Sequence, residues 1–146
     1  MQGNGTVAQG YGRILPGMGG FSLDVEVRAG PDDADLRVVR AMVDTGSEYT
    51  WLPAALLEEL HVIRREGLWF TTATGEQVAR PAGYAFLTVG GRKTVDTVVF
   101  AEVGDATLLG AHTLEGLNVL VDPVGKRLVP AGPIPVPANF VIGRVP

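Results

Sequence analysis

One short stretch of this sequence contains residue types that could carry out acid-base chemistry. It is Asp44-Thr45-Gly46-Ser47, and it directly follows the apolar residues 41–43. Burying a carboxylate costs several kcal/mol unless it is hydrogen-bonded or paired, so an aspartate after an apolar strand needs local partners. The hydroxyls of Thr45 and Ser47 and the N-H groups of a tight glycine-containing loop are suitable partners. We interpret Asp44 as half of a catalytic pair, although the same residues also occur in ordinary turns, where Asp caps its own backbone.

The elements that would position this stretch follow from the hydrophobic pattern. Residues 21–28 alternate apolar and polar side chains, which predicts a half-buried strand, and residues 30–33 are typical of a turn. Leu36 to Val43 is the expected returning strand, which becomes more apolar toward its end. The aspartate is therefore expected at the end of a core strand. Leu52 to Leu60 is predicted to be a short helix with proline in its first turn.

The remaining elements are predicted to be mainly hairpins. The expected strands are 68–72 and 77–79, then 84–89 and 94–101, then 119–121 and 127–129. The turns between them contain Gly75, the pair Gly90-Gly91, and Pro123 with Gly125. Residues 112–117 could form one or two helical turns. The core candidates of the second hairpin are Val95, Val98, Val99 and Phe100.

Composition limits the class of protein. The 146 residues predict one domain with a real core, and the lack of cysteine excludes disulfide and thiol chemistry and fits a reducing, cytoplasmic location. Neither His61 nor His112 lies in a metal-binding pattern, so we expect no metal and no other cofactor. The net charge of -4 argues against nucleic acid or an anionic membrane as the main partner. No apolar run is long enough to span a membrane.

Together, the Asp-Thr-Gly loop, the glycine-bearing hairpin and the Leu-Leu-Gly segment resemble a retropepsin, a retroviral-type aspartic protease. The order looks most like that of single-domain bacterial members, and the resemblance covers Phe21 to Pro130. It implies a mainly β fold, a closed barrel or acid-protease half-lobe with one or two short helices, and a two-fold homodimer. The site residues that it implies are catalytic Asp44; the active-site loop Thr45, Gly46 and Ser47; the flap Ala73, Thr74, Gly75 and Glu76; and the supporting residues Leu108, Leu109 and Gly110.

The sequence departs from the family after the last of these glycines. Retroviral members usually have an arginine there, which is tied to an acidic residue after the Asp-Thr-Gly loop. This chain has Ala111 and then His112, and its acidic residue is Glu48. A contact between Glu48 and His112 is the expected substitute.

Peptide hydrolysis by paired carboxylates needs a base that activates water and an acid that protonates the leaving amine. Two carboxylates about 3 Å apart share one proton, so a single pair can play both parts. Only one such motif is present, and the aspartates at 24, 96, 105 and 122 are expected on surfaces or turns. The second carboxylate is therefore expected from a second copy of the chain. The dyad predicts an acidic to mildly acidic optimum, with the Ser47 hydroxyl expected to bond the ionised form.

The two ends of the chain have a different composition from the middle. Residues 1–20 are rich in glycine and are expected to be flexible. Residues 131–146 are rich in proline and must be extended, and Asn139 to Ile142 is either a dimer-interface strand or flexible.

Three function classes remain on sequence grounds. An aspartic endopeptidase acting on a peptide or protein substrate is the favoured one. The alternatives are a non-catalytic dimerisation or peptide-binding module on the same fold, and a serine hydrolase using Ser47. The serine hydrolase is disfavoured because no Gly-x-Ser-x-Gly elbow surrounds Ser47.

Overall fold

A computed structural model describes residues 20–138 of the chain, and within them it contains nine strands and two short helices. The strands are β1 Ser22–Arg28, β2 Arg37–Val43, β3 Thr50–Pro53, β4 Gly67–Thr71, β5 Gln77–Val89, β6 Arg92–Ala101, β7 Leu108–Leu109, β8 Val119–Asp122 and β9 Arg127–Pro130. The helices are α1 Ala54–Glu59 and α2 Ala111–Gly116. The prediction of a mainly β fold with one or two short helices is confirmed.

Seven of the strands form one sheet that closes on itself. Their order is β1-β2-β7-β3-β6-β5-β4, and β1 also pairs with β5. This additional pairing joins Glu26 to Thr88 and Arg28 to Phe86 in antiparallel register. Six strands therefore make a closed ring, and β4 extends from β5 as the outer strand of a hairpin. Closure leaves the ring without free edges, as the predicted barrel requires.

The interior of the barrel is filled by the side chains that alternate to its inner face along the strands. Val25 and Val27 of β1 have no exposed surface, and Leu87, Val98 and Phe100 of the facing strands are equally buried. These side chains belong to one apolar cluster, to which α1 adds the buried residue Leu57 and, just after its end, Leu60. A second, smaller cluster contains Trp51, Val99, Ala101 and Leu108. Met42, Tyr49, Phe70 and Ala106 pack against this smaller cluster.

Two details of the sequence prediction are wrong. The helix predicted from Leu52 begins only at Ala54, because Leu52 and Pro53 lie in β3 and pair in parallel with Phe100 and Ala101. Pro53 has an extended backbone and caps the helix, which fits a residue that lacks an N-H group. The core candidate Val95 is 55% exposed, because it lies in the outer half of the β5–β6 hairpin, away from β3.

The C-terminal part of the described chain packs against the barrel through Val119, Val121 and Leu128, which contact the main apolar cluster. β8 and β9 form a separate two-stranded sheet, and residues 131–138 are exposed and contain no regular element. The predicted strand Asn139 to Ile142 and residues 1–19 of the predicted flexible segment lie outside the described residues. Between residues 20 and 138, no helix is long and apolar enough to cross a membrane.

Candidate active site

Asp44 lies at the end of β2 and is almost completely buried, with 2% of its surface exposed. Its backbone N-H donates to the Leu109 carbonyl at 3.0 Å, and its Oδ1 accepts the Gly46 N-H at 2.9 Å. Its other oxygen, Oδ2, is buried and has no hydrogen-bond partner among residues 20–138. A buried carboxylate oxygen without a partner is costly, so this atom is the natural place for a proton, a water molecule or a second carboxylate.

Burial sets the protonation behaviour of this group. It raises the pKa of Asp44, while hydrogen bonds from the Gly46 and Ser47 backbone act in the opposite direction and do not cancel it. The carboxyl group therefore keeps its proton to a higher pH than a free aspartate does. A protonated carboxyl can donate, whereas an ionised one can only accept, so a raised pKa shifts to higher pH the range in which the carboxyl can play both roles.

The loop after Asp44 is held mainly by its backbone. The Ser47 N-H donates to the Asp44 carbonyl oxygen at 3.2 Å, closing a tight turn. The expected bond from the Ser47 hydroxyl to the carboxylate is absent from the described part of the chain, because this hydroxyl donates to the Tyr49 carbonyl at 2.8 Å instead. Thr45 and Gly46 are exposed beside the buried Asp44. This exposed pair leaves room for a second molecule next to the carboxylate.

The Leu-Leu-Gly segment supports the loop from behind. Leu108 and Leu109 form β7, which pairs in parallel with Met42 and Val43 at the end of β2. A Cβ atom at Gly110 would lie 2.3 Å from the Tyr49 carbonyl oxygen and 2.9 Å from that of Ser47. Both are backbone atoms that cannot swing away. Only glycine allows this close approach, which explains why the segment ends in that residue.

A buried chain of hydroxyl groups, which the sequence analysis did not identify, ties Gly110 in place. The Gly110 N-H donates to Thr50 Oγ1 at 2.9 Å, and the Thr50 and Thr113 hydroxyl oxygens are 2.6 Å apart. The Thr113 hydroxyl donates to Asp96 Oδ2 at 2.7 Å, so its oxygen must accept the proton of Thr50. The only sequence signal was a hydroxyl residue opening an otherwise apolar strand. Its partners lie too far along the chain to be inferred from spacing.

The predicted flap residues form the tip of the hairpin between β4 and β5. The tip is closed by a bond from the Thr72 N-H to the Glu76 carbonyl at 2.7 Å and one from the Gly75 N-H to the Thr72 carbonyl at 2.9 Å. Ala73, Thr74, Gly75 and Glu76 are all exposed. Gly75 has φ +89°, a conformation that other residues resist, and a Cβ atom there would meet nothing within 4 Å.

A cavity of about 340 Å³ lies between the active-site loop and the flap hairpin. Its lining residues are Gly46, Ser47, Glu48, Tyr49, Trp51, Trp69, Phe70 and Thr71. Phe70 packs against Trp51 with ring centroids 4.8 Å apart and meets Tyr49 edge-on at 6.1 Å. The exposed ring of Trp69 stands beside them, with 73% of its surface open. The sequence analysis missed these aromatics, although the Trp-Phe pair just before the flap tip was a usable signal.

The substitute contact between Glu48 and His112 is present. His112 Nε2 lies 3.8 Å from Glu48 Oε2, and the His112 N-H donates to the Glu48 carbonyl at 3.1 Å. The His112 ring also meets Tyr49 at 5.4 Å. Both side chains are exposed, so the pair connects α2 to the active-site loop mainly through its backbone bond.

The other aspartates named in the sequence analysis are occupied elsewhere. As expected, Asp24 is exposed, where it pairs with Arg40, and Asp122 caps the turn before β9. Asp105 is half-buried but lies in the turn after β6, as expected, whereas Asp96 is half-buried within β6, contrary to expectation. Asp105 binds Arg80 of β5 through both oxygens at 2.6 and 3.1 Å, and Asp96 holds the threonine chain that ends at Gly110. Among residues 20–138, no group of three or more histidine or acidic side chains is arranged to hold a metal.

Comparison with known sequences identifies one matching family. Residues 35–116, more than half of the chain, match the family described as "gag-polyprotein putative aspartyl protease". No curated protein matches the sequence. Among solved structures, the foamy viral protease-reverse transcriptase in complex with an RNA/DNA hybrid is 22% identical over 65% of this chain, with a TM-score of 0.49. The match spans only 11% of that longer chain. The simian foamy virus protease is 23% identical over 64% of this chain and 91% of its own, with a TM-score of 0.46.

Proposed function

Because this chain belongs to the gag-polyprotein aspartyl protease family, we propose that it is an aspartic endopeptidase built from two copies of the chain. One observation carries the proposal. Asp44 presents a buried carboxylate oxygen with no partner among the described residues, directly beside an exposed Thr-Gly pair. Such an atom is costly in a protein that only binds, but a catalytic pair requires it.

The second carboxylate of the pair is Asp44 of the partner subunit. Within residues 20–138, the half-buried aspartates Asp96 and Asp105 are engaged with Thr113 and Arg80, so they are not free to join Asp44. A two-fold axis next to Asp44 brings two identical carboxylates together and covers the exposed loop residues Thr45 and Gly46. The homodimer is therefore part of the proposed active site.

The pair hydrolyses a peptide bond without a cofactor. The ionised carboxylate takes a proton from a water molecule as the water oxygen bonds to the peptide carbonyl carbon, and the protonated carboxyl gives its proton to the carbonyl oxygen. The resulting tetrahedral diol collapses when one hydroxyl proton returns to a carboxylate and the nitrogen receives a proton from the other carboxyl. The C-N bond then breaks, releasing an acid and an amine. The pair ends with one shared proton, as it began.

The cavity between loop and hairpin is the proposed substrate cleft. Its aromatic lining of Tyr49, Trp51 and Phe70 suits an apolar side chain of an extended peptide. The hairpin tip at residues 73–76 closes over the peptide as a flap, since it is exposed and its glycine permits unusual torsions. The cytoplasmic location stays a prediction from the cysteine-free composition.

Mixed dimers test the shared site directly. Wild-type chains are co-refolded with Asp44→Asn chains at fixed wild-type amount, and cleavage of a peptide library is measured. If each site needs Asp44 from both chains, an equal amount of mutant leaves about half the activity and a ninefold excess about a tenth, by binomial pairing. Native mass spectrometry verifies that mixed dimers form. Undiminished activity at ninefold excess, with mixed dimers present, contradicts the proposal.

A further inference from the structure

A second cavity lies beyond the proposed cleft. It has a volume of about 530 Å³, and its lining includes Arg64, Arg65, Glu66, Tyr84 and Tyr49. Tyr49 also lines the aromatic cavity between the loop and the β4–β5 hairpin, so the two cavities share a wall. The segment at 64–66 runs directly into β4, whose later residues line the aromatic cavity. A peptide extended along the cleft can therefore continue into this second cavity.

The two arginines of the cavity are held before any ligand arrives. The Arg65 guanidinium stacks over the Tyr84 ring at 4.8 Å, and the Arg65 N-H donates to the Ala82 carbonyl at 2.7 Å. The Arg64 guanidinium lies over the Phe100 ring at 4.9 Å and pairs with Glu58. Stacking on an aromatic face restricts a guanidinium while leaving its edge N-H groups available.

The charges of the cavity are not balanced. Arg64 is neutralised by Glu58, but Arg65 pairs with no carboxylate within residues 20–138. Glu66, at the same cavity, is the one acidic group among the described lining residues that opposes it. An exposed, stacked guanidinium with free edge donors fits a carboxylate through two parallel hydrogen bonds. The same guanidinium binds a neutral amide of the same shape less tightly than it binds a carboxylate.

We propose that this cavity is a distal subsite that binds an acidic side chain of the peptide substrate through Arg65. The inference rests on the proposed function for the identity of the substrate, since a peptide held at Asp44 is what delivers the side chain. The acidic residue of the peptide is a different one from the residue whose side chain contacts Trp51 and Phe70. Because the ion pair is exposed, its contribution is modest and falls as salt is added.

A binding experiment that needs no catalysis tests the subsite. Peptides with amidated C termini are made in matched pairs that carry Glu or Gln at each position in turn, and their affinities for the Asp44→Asn dimer are measured by fluorescence anisotropy. At one position we expect Glu to bind about fivefold more tightly than Gln. Adding Arg65→Gln should remove this preference, and Glu66→Gln should increase it. The matched control Lys93→Gln removes a positive charge from the exposed end of the β5–β6 hairpin and should leave the preference unchanged.

Charge reversal and turnover separate the possible failures. Arg65→Glu should invert the preference, so that Lys binds better than Gln at the same position, in protein whose circular dichroism is unchanged. Equal affinity for Glu and Gln at every position, or a preference that survives Arg65→Gln, overturns the subsite. An Arg65-dependent preference in a wild-type protein that cleaves nothing supports the subsite and counts only against the peptidase. A protein that cleaves peptides but shows no preference for Glu supports the peptidase and overturns the subsite.

Discussion

The loop that follows Asp44 and the hairpin that we propose as the flap face the same cavity but are held in opposite ways. The loop is fixed from several sides, since Asp44 is bonded to Leu109 and Gly46, and the backbone of the loop is in close contact with Gly110. The flap tip is exposed, and its hydrogen bonds within residues 20–138 join only Thr72, Thr74, Gly75 and Glu76. The hydrogen bonds of the tip thus join residues of the tip to one another, whereas those of the loop join it to the barrel.

This difference fits the two tasks that we propose for these regions. A carboxylate that works as acid or base must keep one orientation, so its supports have to be rigid before substrate arrives. A lid must open and close, so it is built from residues with few buried contacts and low local stability. Substitutions in the two regions should therefore affect different measurements.

The largest effect is expected from Asp44→Asn, which keeps the shape of the side chain but removes its acid-base function. Turnover should fall on the order of 10⁴-fold, because a dimer of the variant would lack both the proposed general acid and the proposed general base. The measurement is cleavage of a peptide library followed by mass spectrometry across acidic and neutral pH. Asp24→Asn, on the exposed face of β1, is the matched control and should cleave at the wild-type rate. Wild-type turnover by Asp44→Asn would mean that another group carries the chemistry.

A smaller effect, on stability, is expected from Gly110→Ala. The new Cβ atom would lie 2.3 Å from the Tyr49 carbonyl oxygen, so the backbone must shift, at a cost of about 3 kcal/mol in the free energy of unfolding. Urea denaturation at fixed protein concentration measures it. The control is Gly75→Ala, where nothing lies within 4 Å and the torsional penalty is about 1 kcal/mol. Equal losses at the two glycines would contradict the contrast between the fixed loop and the free tip.

The flap is tested by Gly75→Val. A β-branched residue resists the φ of +89° at this tip, so the hairpin should close less readily and kcat/KM should fall about tenfold. Circular dichroism and thermal unfolding should show a folded protein, since the tip is exposed and contributes no core contact. Unchanged kinetics in folded Gly75→Val protein would remove the flap role from residues 73–76.

The smallest effect is the pH dependence of stability. Burial raises the folded-state pKa of Asp44 above its ordinary value of 3.8, so the folded chain keeps a proton that the unfolded chain has lost. Stability therefore falls as pH rises from about 3.8 through the folded-state pKa, and this loss persists at neutral pH. The asparagine introduced by Asp44→Asn does not titrate, so the stability of the variant relative to wild type should rise as the pH increases through this range. Below this range the relative stability should not change with pH. Urea midpoints measured at several pH values provide the test. A relative stability that is independent of pH would contradict the raised pKa.

Much of the fold could be predicted because its signals are local. The alternating side chains of β1, the paired glycines between β5 and β6, and the turn at 122–126 each determine structure within a few residues. The family predicted from the loop, the hairpin and the Leu-Leu-Gly segment is confirmed by the match over residues 35–116. In these parts local preference and global fold agree.

The rest depends on contacts between distant parts of the chain. The second half of β3 was assigned to a helix because its four residues are too few to show a period, and their strand conformation comes from pairing with β6 about fifty residues later. The bonds that join Thr50 to Thr113, and Thr113 to Asp96, have no fixed spacing in the sequence. The partner of the Ser47 hydroxyl was wrong for a similar reason, since two acceptors lay within reach and only the loop geometry chose between them.

The length of β5 has a mechanical consequence. Its residues 77–81 belong to the flap hairpin, residues 82–89 pair with β6, and residues 86–88 also form the seam with β1 that closes the barrel. The proposed flap and the seam thus lie on one continuous strand, and the ion pair of Arg80 with Asp105 lies where pairing with β4 gives way to pairing with β6. We therefore expect that a displacement of the tip by a bound peptide would be transmitted along β5 toward the seam that closes the barrel.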